Sequence, residues 1–211
     1  ARGQLTVDDI TAEGGAARLC VADVASAEGA DAIAAACTDA FGPPDILVNN
    51  VGIGDAGDGP PHKLTEEAFD RTLRINLKGA WLLSKALLPG MLERRQGAIV
   101  NISSLASIAG GFQMAYEVSK AGMNRMTLSI AMSGASRGVR CNAITPGLMD
   151  TPMAIRGISQ MRGIPEDELR AQRAARVPMK RMGTGWDTAH AALFLASDEA
   201  AYITGAILPV D

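Results

Sequence analysis

Ala98-Ile99-Val100-Asn101-Ile102-Ser103 is a short run whose centre is continuously apolar. A strand with one wet face alternates apolar and polar residues, whereas a strand buried on both faces reads as an unbroken apolar stretch. The second pattern belongs to parallel sheets covered by helices on each side. Asp45 to Asn49, with Ile46-Leu47-Val48 at its middle, has the same form. Arg18 to Ala22, Val139 to Ile144 and Ala206 to Pro209 complete the predicted strands.

Helical patterns fill the intervals. Residues 26–41 place Ala30, Ile33, Ala34 and Cys37 on one face. Thr65-Glu66-Glu67 opens a long helix, because a threonine side chain caps free N–H groups and glutamates favour the positive N-terminal end. Another helix runs from about Gly111 to Arg137, and the last from Thr184 to Ala196. Buried strands alternating with helices predict a doubly wound parallel sheet, a Rossmann-like α/β fold, in one domain over residues 1–211.

Composition narrows the function classes. A chain of 211 residues with 47% hydrophobic content can bury one sizeable core. The net charge is −3 without blocks of like charge, so neither nucleic acid nor an anionic membrane is an expected partner. Lys85 and Arg125 break the longest apolar stretches, so no membrane span is predicted, and there is no signal-peptide pattern. Cys20, Cys37 and Cys141 lack metal-ligand spacing and sit in apolar surroundings. No metal site is expected, and the cysteines read as reduced core residues of a cytoplasmic protein.

The chemistry is concentrated in Tyr116-Glu117-Val118-Ser119-Lys120. Positions i and i+4 of a helix share a face, so this phenol and this ammonium point the same way. A free tyrosine, with a pKa near 10, is a poor base at neutral pH, and lowering it by two units requires about 2.7 kcal/mol. One cation at about 4 Å supplies up to roughly 4 kcal/mol at an effective dielectric of 20. Lys120 is therefore able to make Tyr116 a working acid/base. Alone, such a pair is more often an exposed helix-surface pair. Its context is what distinguishes it. Asn101-Ile102-Ser103-Ser104 ends one buried strand and Asn49-Asn50-Val51-Gly52 follows another. Asn76, a poor helix former, lies inside an amphipathic helix, and Asn142-Ala143-Ile144-Thr145-Pro146-Gly147 ends a further strand, with Thr151 soon after.

Taken in order, these elements resemble the short-chain dehydrogenase/reductase family from the first residues to Asp211. The resemblance implies a hydride transfer between NAD or NADP and a small-molecule secondary alcohol or ketone. It implies that Tyr116 exchanges the substrate proton, and that Lys120 lowers the tyrosine pKa and hydrogen-bonds the nicotinamide ribose. Ser104 would polarise the substrate carbonyl, and Asn76 would hold a water in the proton relay. Asp23 and Val24 would meet the adenine. Asn50 and Gly52 would line the adenosine side, and Pro146, Gly147, Met149 and Thr151 the nicotinamide end. The usual family spacing to the tyrosine selects Ser103 instead of Ser104, whereas strand alternation selects Ser104. A 3-oxoacyl-thioester reductase and a non-catalytic scaffold are the rival readings. A homo-oligomer, tetramer or dimer, is expected because Ala80, Leu82, Leu83, Leu87 and Leu88 make their helix apolar on more than one face.

Relatives open with a strand, a Thr-Gly-x-x-x-Gly-x-Gly turn and a second strand, none of which this sequence contains. It is expected to be part of a longer protein, and these 211 residues are not expected to bind cofactor stably by themselves. NAD versus NADP stays open for the same reason. Met149, Met153, Met161 and Met179 flank a segment that covers the substrate in relatives, where they either pack ordinarily or line an adaptable pocket. Arg170, Arg173 and Arg176 read as a solvated helix face, His62 and His190 as structural or surface residues, and Trp81 and Trp186 as packing residues.

Overall fold

The computed structural model describes residues 2–54 and 57–211. Four strands, β1 (Ile46–Asn49), β2 (Gly97–Ile102), β3 (Val139–Pro146) and β6 (Ile207–Val210), form one parallel sheet in that order. Val48 pairs with Val100 and Val100 with Asn142, while Ile144 pairs with Leu208. A second, two-stranded piece joins β4 (Met149–Asp150) to β5 (Gly183–Thr184).

Successive residues of a strand point to opposite faces, and the two cores follow from that. Leu47, Ile99 and Cys141 meet Leu82, Leu83 and Met91 of α4 (Gly79–Arg94) and Ile130 of α5 (Met114–Gly134), with Ala30 of α2 (Ala27–Phe41). On the other face Val100 and Ile144 meet Leu195 of α8 (Gly185–Ala196). Arg140 of β3 anchors the end of α8, donating to the carbonyls of Leu195, Ala196 and Ser197. Helix starts follow their local chemistry: Ser26 caps α2 and Thr65 caps α3 (Glu66–Leu73), each accepting a backbone N–H. The remaining helices are α1 (Arg2–Ala12), α6 (Pro152–Arg162) and α7 (Glu166–Arg176).

Several expectations need correction. Arg18 to Ala22 has no regular secondary structure, and Leu19 and Val21 are exposed. A strand exists only through its ladder, and none of the described strands pairs with this segment. β2 and β3 are buried on both faces, but Ile46 and Val48 of β1 are half-exposed. The helix opened by Thr65 is not uniform: Arg74–Lys78 is a π-helical turn between α3 and α4. Ala80, Leu82 and Leu83 are buried, and Leu87 and Leu88 are partly buried against the same core.

Side-chain surroundings also differ from sequence expectation. Cys141 is buried, but Cys37 is only half-buried and Cys20 is exposed, since its segment is not a core strand. Trp186 is exposed and Trp81 half-exposed beneath the Lys85 ammonium, so neither is a core packing residue. Met149 is buried, whereas Met153, Met161 and Met179 face solvent. Arg170 is not simply solvated: Asp150, Glu166 and Asp167 all pair with it, and Arg173 is partly buried. No described helix is long and apolar enough to cross a membrane. Among the described residues no cluster suits a metal ion.

Candidate active site

In a parallel sheet all strands end on the same edge, and the crevice beyond those C-terminal ends is where such folds bind ligands. β1 delivers Asn50 and Gly52 there, β2 delivers Ser103 and Ser104, and β3 delivers Pro146 and Gly147. The first turns of α5 bring Tyr116 and Lys120 to the end of β2.

Lys120 is almost fully buried, and its Nζ donates to the carbonyl of Ile102 at 2.7 Å. It stands 5.7 Å from the centre of the Tyr116 ring. Burial pushes its ammonium down to about 8. Burial pushes the Tyr116 phenol up, against a hydrogen bond from the Ser104 side chain that favours the phenolate. Desolvation thus outweighs that hydrogen bond here. Each charge is costly by itself in this site.

Two adjacent serines part company. The Ser103 hydroxyl is buried and donates to the Lys120 carbonyl at 3.1 Å. Ser104 faces the other way, reaches Tyr116, and accepts the N–H of Ala106 at the start of a short 3-10 turn. The side chains brought together are therefore Tyr116, Lys120 and Ser104.

Asn76, the buried residue of the π-helical turn, has a structural occupation. Its Oδ1 accepts from Ile53 N at 2.8 Å, and its Nδ2 donates to Ile53 O at 3.0 Å and to Ser119 Oγ at 3.2 Å. Ser119 Oγ donates in turn to the carbonyl of Tyr116 at 2.7 Å. One side chain thus ties the loop after β1 to α5. Gly52 lies inside this arrangement, where a Cβ would come within 3.4 Å of Lys120 Nζ and 3.6 Å of Asn76 Oδ1. A missing side chain there leaves space beside the ammonium. An ammonium has three donors and Ile102 takes one, so the residues fit a hydroxylated ligand such as a nucleotide ribose.

The other predicted positions lie further out. Asp23 precedes α2, accepts from Ala25 N and pairs with Arg74 at 3.5 Å. Val24 packs on the first core, and its carbonyl lies close to Gly79. Asn50 is exposed. Gly147 N donates to Val210 O, Met149 is buried against Gly183, and Thr151 caps α6 through Ala154 N. This last group shares the sheet edge of Tyr116, one strand away.

Two carboxylates were not anticipated. Asp58 accepts from Ala115 N and Tyr116 N, and Glu117 accepts from the N–H groups of Gly111, Phe112 and Gln113. Burial raises the Glu117 carboxyl, but these three donors outweigh it and hold the group below its ordinary value. Asp58-Gly59 reads locally as a turn, and nothing in its neighbourhood signals a partner 57 positions away.

A parallel α/β sheet carrying a phenol, an ammonium and a hydroxyl at its C-terminal edge defines a doubly wound enzyme of the dinucleotide type. A family model described as enoyl-(acyl carrier protein) reductase matches residues 1–211. The chain is 42% identical over 192 residues to 2-(R)-hydroxypropyl-CoM dehydrogenase of Xanthobacter autotrophicus, covering 90% of this chain and 74% of that protein. It is 40% identical over 190 residues to a 3-oxoacyl-[acyl-carrier-protein] reductase of Vibrio cholerae, with coverage of 90% and 74%. A crystal structure of NAD+-bound xylitol dehydrogenase superposes with a TM-score of 0.89 at 30% identity, covering 98% of this chain and 82% of the other. The chain belongs to the short-chain dehydrogenase/reductase family and is an oxidoreductase of that family.

Proposed function

We propose that this protein moves a hydride between NAD or NADP and a secondary alcohol or ketone, with Tyr116 as acid/base. The observation that carries this reading is the convergence of Tyr116, Ser104 and Lys120 at the end of β2. When bound, the nicotinamide supplies the hydride acceptor or donor.

The chain's own residues handle the proton. In reduction Tyr116, held protonated by burial, donates its proton to a ketone oxygen, and in oxidation its phenolate receives the proton of the alcohol. Ser104 donates a hydrogen bond to the phenolate, and its hydroxyl is placed to polarise a substrate carbonyl. Lys120 supplies the charge that makes the phenolate affordable and the donors that orient a ribose. Gly52 leaves space next to that ammonium, Asn76 braces the floor, and Pro146, Gly147, Met149 and Thr151 form the neighbouring wall. Asp23, Val24 and Asn50 are assigned to the adenosine side.

Reduction of a 3-oxoacyl thioester is the second reading, and similarity to the Vibrio cholerae reductase favours it. Arg170 does not, since three carboxylates already neutralise it. Exposed Trp81, Val118 and Met132 on α4 and α5 support a homo-oligomer, a tetramer or dimer, and light scattering at micromolar concentration tests it. Three free cysteines, one of them exposed, suit the cytoplasm.

The test is formation of NADH or NADPH from a panel of small secondary alcohols, run beside reduction of a 3-oxoacyl thioester. Turnover of alcohols supports the first reading and turnover of the thioester alone supports the second. No turnover and no cofactor binding by the full-length protein would reject both.

A further inference from the structure

The geometry points to Asp58 as a positioning residue that holds the backbone of Tyr116 from the loop between β1 and α3. This inference rests on the acid/base reading of Tyr116.

α5 begins without a cap of its own. Its first flanking residue, Gln113, makes no side-chain capping bond, so the N–H groups of the first turn depend on groups from elsewhere. Asp58 provides them from far along the chain. Oδ1 accepts from Ala115 N at 3.0 Å and from its neighbour Gly59 N at 2.8 Å, and Oδ2 accepts from Tyr116 N at 2.9 Å. Met114 N donates to Gly59 O at 3.3 Å, so the same short segment touches three consecutive residues of the helix start.

The consequence is specific to Tyr116. Its N–H is held by Asp58, its carbonyl by Ser119 Oγ and its side chain by Ser104. Nearer β1, Asn76 holds Ile53 by two hydrogen bonds. Loss of Asp58 leaves the other two restraints in place but frees the backbone from which the phenol projects. Proton transfer is sensitive to small displacements, and about 1 Å of misplacement can cost on the order of a hundredfold in rate.

Glu117 provides the control. It also accepts three N–H groups at the same helix start, but those of Gly111, Phe112 and Gln113, none of which is Tyr116. An aspartate that merely stabilised the helix end would behave like Glu117.

The experiment compares Asp58→Ala, Asp58→Asn and Glu117→Ala in the full chain. The probe is whichever of isopropanol, cyclohexanol and menthol the unsubstituted chain oxidises fastest. Asp58→Ala is expected to lower kcat about tenfold or more, with cofactor Kd changed less than about threefold. Asp58→Asn keeps an oxygen acceptor and is expected to recover part of that loss. Glu117→Ala is expected to lower the melting temperature while kcat stays within about threefold. If Asp58→Ala does not fold, a kcat loss in Asp58→Asn larger than that in Glu117→Ala supports the inference. Equal effects of the Asp58 and Glu117 variants on kcat, or an Asp58→Ala enzyme within about threefold of the parent, overturn it while leaving the reading of Tyr116 intact. A Tyr116→Phe variant that turns over normally, or a parent that oxidises no probe, removes that reading and this inference with it.

Discussion

The Ser103 hydroxyl donates a hydrogen bond to the Lys120 carbonyl, 3.1 Å away, inside the protein. That contact spends Ser103 on fastening β2 to α5, and leaves Ser104 to face the Tyr116 phenol. Replacing the two serines should therefore give opposite results. Ser104→Ala is expected to lower kcat by about a hundredfold or more with little loss of stability, as removal of a transition-state hydrogen-bond donor does. Ser103→Ala is expected to cost about 1–3 kcal/mol of stability and to leave turnover of the folded enzyme nearly intact. Urea unfolding and steady-state kinetics on both variants check this, and a reversed pattern would assign the reaction to Ser103.

Tyr116→Phe is expected to reduce turnover by about a thousandfold while cofactor Kd changes by less than about threefold, since only the proton-transfer group is lost. Measured under conditions where chemistry limits the rate, a variant retaining a large share of the parent kcat would show that another group moves the proton.

The pH dependence follows from the two burial-driven shifts. Lys120 is pushed down to about 8 and Tyr116 is pushed up, so on raising the pH the lysine loses its proton first. In ketone reduction, kcat/KM is expected to fall as the pH rises through about 8, because the cation that would accompany the nascent phenolate disappears. Lys120→Met should abolish that limb. Superimposable profiles for parent and variant would show that the two groups are not coupled.

Arg140 offers a stability test remote from the reaction. Its guanidinium holds the carbonyls of Leu195, Ala196 and Ser197 at 2.7, 3.2 and 3.0 Å, satisfying the C-terminal end of α8. Arg140→Met keeps the length of the side chain and removes every donor. A loss of about 1–3 kcal/mol in denaturant unfolding is expected, with kcat unchanged. A variant as stable as the parent would mean that water replaces the arginine at no cost.

What could be read from the sequence alone was local. The apolar centres of β2 and β3 announced strands covered on both faces, Thr65 announced a helix start, and the four-residue spacing put Tyr116 and Lys120 on one face of α5. Backbone geometry and capping act over a few residues, so their signals survive without tertiary information. The choice between Ser103 and Ser104 was not local, because it depends on how β2 is rotated against α5. The coil at Arg18 to Ala22 shows the same limit from the other direction: an apolar run becomes a strand only beside a partner, and exposed Cys20 follows from that. Burial decided the direction of both titration shifts, which charge spacing by itself does not contain. Asp58 became visible only when the chain brought residue 58 against residues 115 and 116, because no periodicity or spacing rule operates across such a separation.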